Sequence, residues 1–202
     1  MLDSHIRPLI DPPLNRLGQA LAAKGVTANK VTLAGLALGL LAAGAITLGW
    51  MLLGLILILA SRLADGLDGA VARASRGTDF GGYLDITCDF LFYGAIPMAF
   101  IWLDPEANGA AGAFLLTSFY FNGASFLGFA ILAEKHGETT SKQGVKSLYY
   151  SNGILEGTET IVFFVLLCLF PDFFTTLAWG FGALCFATAS LRIYAARQTF
   201  TT

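Results

Sequence analysis

The sequence predicts an all-α integral membrane protein: six transmembrane helices preceded by an N-terminal amphipathic surface helix. Three observations carry this. Of the 202 residues, 55% are hydrophobic and only 13% are charged, with a mean hydropathy of +0.67. A soluble domain carries about 25% charged residues, so little of this surface can face water. The apolar residues gather into long runs, each near the ~20 residues that cross ~30 Å of hydrocarbon. Finally, the cations are confined to the segments that would lie on one side of the membrane. A net charge of −2 and a pI near 5.6 give no basic footprint, so nucleic acid is not an expected partner.

The elements follow in order. In residues 1–27, Ile6, Leu9, Ile10, Leu14, Leu17, Leu21 and Ala22 recur at roughly helical spacing, with Arg7, Arg16 and Gln19 between them. This reads as an amphipathic segment lying on the membrane surface, with a helix packed on a neighbour as the alternative. Pro12-Pro13 is expected to interrupt or begin a helix there. Apolar runs occupy residues 31–49, 50–73, 82–103, 109–133, 153–171 and 173–195. The breaks at Gly49-Trp50, at 104–108 and at Pro171-Asp172 are short, and those at 74–81 and 134–152 are longer.

Apart from Arg62, each Lys or Arg lies in or beside the N-terminus, the two longer breaks or the C-terminus. The short breaks contain only Asp104, Glu106 and Asp172 as charged residues. The positive-inside rule then puts both termini in the cytoplasm and requires an even number of spans. With no convincing internal repeat, residues 1–202 read as one domain. Cys88, Cys168 and Cys185 lie scattered in apolar stretches, a pattern of neither a disulfide framework nor a zinc site.

Four acids stand inside the second and third runs: Asp65, Asp68, Asp85 and Asp89. A charged side chain at membrane depth costs a few kcal/mol or more, so four together need cations or protons. Asp65 and Asp68 are i,i+3 on one helix, and Asp85 and Asp89 are i,i+4 on the next. The helices are consecutive and antiparallel, so all four carboxylates can converge just below the cytoplasmic surface. Hard oxygen ligands suit Mg²⁺ or Mn²⁺, and two such ions could clamp a diphosphate. Gly66, Gly69, Ala70, Ala72, Gly81 and Gly82 clear space beside the acids. Close helix packing accounts for part of that small-residue content, but not for the acids.

These residues resemble the CDP-alcohol phosphotransferase (CDP-alcohol phosphatidyltransferase) family. Asp65, Asp68, Gly69, Ala72, Arg73, Gly81, Asp85 and Asp89 fill every fixed position of its signature, D-x2-D-G-x2-A-R-x7-8-G-x3-D-x3-D. The six-span plan and the surface helix extend the likeness over most of the chain. The resemblance implies transfer of a phosphatidyl group from CDP-diacylglycerol to an alcohol acceptor, with release of CMP, in phospholipid biosynthesis. It implies two Mg²⁺ or Mn²⁺ ions held by Asp65, Asp68 and Asp85, with Asp89 a further ligand or the general base. Gly69, Ala72, Arg73 and Gly81 would receive the cytidine nucleotide. A homodimer in a bacterial cytoplasmic membrane is the implied setting.

The acceptor is less legible. A phosphate-bearing alcohol, such as glycerol 3-phosphate or inositol phosphate, needs a cationic pocket, for which Lys142, Lys146, Arg62 and Arg192 are candidates. Arg62, one turn before Asp65, can instead pair with a site carboxylate. Glu156 and Glu159, i,i+3 at the start of the fifth run, would repel a phosphate and accept from an amino or polyol headgroup. The balance favours an acceptor without phosphate, with serine the leading example. An ion-coupled transporter is the alternative class, because intramembrane acids also form proton and cation relays.

Overall fold

A computed structural model describes residues 3–136, 155 and 157–200. Helices and one 3₁₀ turn make up its regular structure, and no strand occurs among the described residues. The helices are α1 (Asp3–Ala23), α2 (Ala28–Thr47), α3 (Met51–Ser75), α4 (Asp79–Leu103), α5 (Pro105–Lys135), α6 (Gly157–Leu169) and α7 (Phe174–Phe200). The 3₁₀ turn, Pro171–Phe173, leads into α7.

Among the described residues, four stretches are long and apolar enough to cross a membrane: Ala28–Thr47, Asp79–Leu103, Pro105–Lys135 and Pro171–Phe200. The 25-residue α3 is long enough but carries Arg62, Asp65 and Asp68, while α6 has 13 residues. The outer surface explains the missing charge. Leu52 is 71% exposed, Tyr120 79% and Ile131 67%. Such side chains on several helices form an apolar exterior far larger than a water-soluble monomer presents. This is an integral membrane protein.

Helix ends obey local chemistry. Gly49, at φ +79°, turns the chain between α2 and α3. The Thr78 hydroxyl caps α4 by accepting the Gly81 N–H at 3.0 Å, a contact of about 1 kcal/mol. At the other end, Asp104 caps α5 by accepting the Ala107 N–H at 3.0 Å, with Pro105 in the first turn. These caps fix where α4, which bears Asp85 and Asp89, and α5 begin.

In contrast to the expected break, α1 runs through Pro12 and Pro13 without interruption. The two prolines remove two backbone hydrogen bonds and crowd the carbonyls four residues back. Tertiary packing holds the helix despite them: Leu14 and Gly18, one turn apart, are buried against α3. At Gly18 a Cβ would come within 2.7 Å of the Ala70 backbone, so only glycine permits this approach. Ile10 and Leu17 remain exposed on the other side of α1.

The core draws on six helices. Ala42, Ile46, Ile58, Phe92, Phe100, Leu115, Phe164, Leu167 and Phe174 are all fully buried. Aromatic contacts tie the later helices together: Phe163 stacks on Phe181 at 4.0 Å and Phe100 on Phe174 at 5.2 Å. The three cysteines are free and buried.

The helix arrangement makes room for a site. α2 packs along both α3 and α4, whereas α3 and α4, though consecutive, scarcely touch. Gly35 and Gly39 of α2 allow the approach: a Cβ would lie 3.2 Å from Ala64 at the first and 2.5 Å from Phe92 at the second. α3 and α4 are thus held apart, with α2 as the floor between them.

Candidate active site

The acids of α3 and α4 meet across this gap. Asp65 precedes the end of α3 at Ser75 by as many residues as Asp89 follows the start of α4 at Asp79. At 1.5 Å per residue both sit about 15 Å from the α3–α4 turn. By the same count Asp68 and Asp85 lie about 10 Å from it.

Asp65, Asp68 and Asp85 each offer a carboxylate oxygen, and these oxygens lie within 4.8 Å of one another. Three anionic oxygens so close are mutually repulsive, and a divalent cation among them removes that repulsion. The donors are all hard oxygens, and Asp65 and Asp85 are partly open while Asp68 is buried. This set fits Mg²⁺ or Mn²⁺ better than a softer metal.

Asp68 is fixed from below. The Thr32 hydroxyl of α2 donates to its Oδ2 at 2.6 Å, and both residues are buried. The Asp68 carboxylate is thereby anchored to α2.

Asp89 stands outside the trio. Its Oδ1 accepts from Arg62 Nη1 at 2.8 Å, and the same nitrogen is 3.4 Å from Asp65 Oδ1. The guanidinium makes two further contacts, while its buried Nε has no hydrogen-bond partner among the described residues. Nη2 donates to Ser61 Oγ at 3.2 Å, and Ser61 donates to the Gly35 carbonyl at 2.8 Å. The Arg62 Cζ lies 3.8 Å above the Phe92 ring. Of the two sequence readings for Arg62, pairing with a site carboxylate is the one observed.

The motif residues nearer the turn line the mouth of the gap. Gly69 is half-buried, and a Cβ there would lie 3.3 Å from Arg73 Nη1. Arg73 is exposed, and its Nε and Nη2 both donate to Asn15 Oδ1 of α1, at 3.3 and 2.9 Å. Ala72 is half-buried beside it. Gly81 sits where a Cβ would approach Asn29 Oδ1 to 3.1 Å and Thr78 Oγ1 to 3.2 Å.

The acceptor-side candidates divide. Lys142, Lys146 and Glu156 lie outside the described residues. Glu159 is half-buried in the first turn of α6. That turn begins beside the site, since a Cβ on Gly157 would lie 3.8 Å from the Tyr93 hydroxyl. Tyr93 in turn packs edge-on to Phe92 at 5.6 Å. Arg192 of α7 is buried and donates to the Asn122 carbonyl, Asn122 Oδ1 and Ser125 Oγ on α5.

Several participants escaped sequence reading: Asn15, Asn29, Thr32, Ser61 and Tyr93. Asn29 and Thr32 left a faint signal, two polar residues i,i+3 at the start of an apolar helix. Nothing in the sequence tied Thr32 to Asp68 or Asn15 to Arg73.

Fold and site together define a membrane-embedded polyacidic centre suited to hard divalent cations. The chain belongs to the CDP-alcohol phosphatidyltransferase family, whose model matches residues 25–190. It is therefore a membrane transferase of substituted phosphate groups in phospholipid synthesis, which sets the transporter reading aside.

Among its relatives, the inner membrane protein YnjF of Escherichia coli is 49% identical over 199 residues, 98% of this chain and 97% of that one. The archaetidylinositol phosphate synthase of Pyrococcus horikoshii is 42% identical over 89 residues, 44% of this chain and 47% of that protein. Among solved structures, Mycobacterium tuberculosis phosphatidylinositol phosphate synthase (PgsA1) with CDP-DAG bound matches with a TM-score of 0.66 at 21% identity, over 91% of this chain and 93% of that one. The same enzyme in complex with manganese and citrate gives 0.65 at 20% identity, over 91% and 88%. At such identities these structures speak for the fold alone.

Proposed function

We propose that the protein transfers the phosphatidyl group of CDP-diacylglycerol to an alcohol, releasing CMP, at the gap between α3 and α4. The observation that carries the site assignment is the trio Asp65, Asp68 and Asp85, with ligand oxygens within 4.8 Å of one another. These residues would hold the divalent ions, two Mg²⁺ or Mn²⁺ in the reading the signature favours. When bound, such ions supply Lewis-acid polarisation of the diphosphate and offset the charge of the departing nucleotide.

The chain's own residues do the rest. Gly69, Ala72 and Gly81 leave room at the mouth for the cytidine nucleotide, and Arg73 brings a cation to it. Asp89 accepts the proton of the acceptor hydroxyl. The acceptor oxygen forms a bond to the phosphatidyl phosphorus, the phosphoanhydride bond to CMP breaks, and CMP leaves with that electron pair.

In this reading α3 and α6 cross the bilayer together with the four longer apolar stretches, giving six spans with both termini cytoplasmic. α1 lies on the cytoplasmic surface, its exposed Ile10 and Leu17 available to lipid. The diacylglycerol tail then stays in the bilayer while a soluble acceptor enters from the cytosol. The working unit is a homodimer, as the family resemblance implies.

An acceptor without phosphate, serine first, is supported by the use already made of two described cations. Arg62 is engaged by Asp65 and Asp89, and Arg192 by Asn122 and Ser125. Glu159 adds an acid in the first turn of α6. The name of the Pyrococcus relative favours a second reading, an inositol phosphate acceptor, for which Lys142 and Lys146 would supply the cationic clamp. CMP release from CDP-diacylglycerol, measured in detergent with Mn²⁺ and with serine, glycerol 3-phosphate or myo-inositol 1-phosphate, decides between them. No metal-dependent CMP release with any alcohol would overturn the reading.

A further inference from the structure

We infer that Tyr93 recognises the alcohol acceptor: its phenolic hydroxyl meets a second polar group of the acceptor headgroup while the reacting hydroxyl lies at Asp89. The inference deepens the proposed transfer reaction and rests on it.

Tyr93 and Asp89 are i,i+4 on α4 and so share a face. Tyr93 lies one turn further from the α3–α4 turn, about 6 Å along the axis. Its hydroxyl is close enough to Asp89, Arg62 and Asp65 to interact with the charge of each. The phenol therefore stands at the inner end of the acid-lined gap, away from the mouth where Arg73 and Gly81 lie. Gly157, the first residue of α6, faces it, since a Cβ there would lie 3.8 Å from the hydroxyl.

Packing does not account for the hydroxyl. The Tyr93 ring meets Phe92 edge-on at 5.6 Å and Phe164 obliquely at 6.3 Å. Phe164 in turn contacts Phe163 at 5.9 Å and Phe119 at 6.3 Å. Every other ring of this cluster is a phenylalanine, and Phe92 and Phe164 are fully buried. A phenylalanine at 93 would fill the same place with no hydroxyl to desolvate. Beyond Tyr93 the residues that α4 buries are Ile96, Pro97, Ala99 and Phe100, all apolar. Tyr93 itself is only half-buried. The cluster thus carries its one polar group where apolar core gives way to the acids.

The phenolic proton is free to serve a ligand. Arg62, with Cζ 5.9 Å from the ring centre, donates and cannot accept. Asp89 takes its bond from Arg62, and no hydrogen bond joins it to Tyr93 among the described residues. A phenol can donate to a headgroup oxygen or accept from an amino or hydroxyl group. Contact at Asp89 alone leaves a small alcohol free to turn, whereas a second contact one helical turn away fixes the direction of its reacting oxygen.

The test compares Tyr93→Phe with wild type. CMP release from CDP-diacylglycerol with Mn²⁺ is followed against acceptor concentration, using whichever of serine, glycerol 3-phosphate and myo-inositol 1-phosphate reacts fastest. CDP binding is measured in parallel by calorimetry. Tyr93→Phe should raise the acceptor KM about 10-fold, the loss of one hydrogen bond, and leave CDP affinity within about threefold. Tyr93→Leu removes ring and hydroxyl together; it should raise the acceptor KM at least as far and serves if the Phe variant does not fold. An acceptor KM within threefold of wild type overturns the inference. A fall in kcat with acceptor KM unchanged overturns it by making Tyr93 a support for Asp89 or Arg62. A tenfold loss of CDP affinity overturns it by placing Tyr93 in the nucleotide site. All three outcomes leave the transfer reaction standing. No CMP release by the wild type with any of the alcohols refutes the transfer reaction itself, and this inference with it.

Discussion

Replacing Thr32 with Val removes one hydroxyl from the floor of the site while keeping its shape. The consequence for metal binding can be worked from the geometry. Thr32 Oγ1 donates to Asp68 Oδ2 at 2.6 Å, and the two residues are 7% and 5% exposed, so water cannot readily take the hydroxyl's place. A hydrogen bond to a charged group contributes about 1.5–3 kcal/mol. At 1.4 kcal/mol per tenfold, its full loss is about 10- to 150-fold. Partners one step behind a ligand are observed to cost about 10- to 100-fold in metal affinity, so Thr32→Val should weaken Mn²⁺ binding by about 10-fold or more. Titration of Mn²⁺ by electron paramagnetic resonance, and the metal dependence of CMP release, would both read it. Thr32→Ser keeps the donor and should stay within about threefold of wild type. If Thr32→Val binds Mn²⁺ within twofold of wild type, Asp68 does not depend on this bond and the argument fails.

Other outcomes follow from the same arrangement. Asp89→Asn should reduce CMP release by about 10²- to 10⁴-fold while calorimetry finds CDP binding little changed; Asp65→Asn and Asp68→Asn should lose metal-dependent CDP binding itself. EDTA should abolish CMP release and added Mn²⁺ restore it, and activity that survives chelation would exclude the metal reading. Gly18→Val forces a side chain into the Ala70 backbone and should destabilise by about 1–3 kcal/mol, seen as a lower Tm; an unchanged Tm would mean α1 is not docked on α3. Single cysteines at Gly77 and Glu106, in a background without the three native ones, should label from opposite faces of sealed vesicles, and labelling from one face would refute the six-span topology.

The sequence made the acids legible because nothing else explains four carboxylates in apolar runs, and helical spacing fixed which pairs share a face. Helix limits came within a few residues for α2 through α5, where turns and caps punctuate the runs. The contacts between non-consecutive helices were hidden. In a membrane protein the outward faces are as apolar as the inward ones, so periodicity does not say which face meets which neighbour. Hence Thr32 read as one more residue of an apolar run, and the interposition of α2 between α3 and α4 was not foreseen. Arg62 was visible as an anomaly, but its pairing with Asp89 as well as Asp65, and its support by Phe92 and Ser61, lay in contacts between helices. Pro12-Pro13 misled because local propensity was overridden by the packing of Leu14 and Gly18 on α3.

The face of α2 bearing Gly35 and Gly39 acts as a shim. A methyl group at Gly39 would press on Phe92 at 2.5 Å and on Ser61 at 3.2 Å, one residue on each of the two helices that carry the acids. The width of the gap between α3 and α4 is thus set in part by how closely α2 can approach at Gly35 and Gly39. Ion preference and donor size can therefore drift among descendants of this fold through small changes on α2, with all four aspartates unaltered. Enlarging Gly39 is a way to retune the centre without rewriting its chemistry.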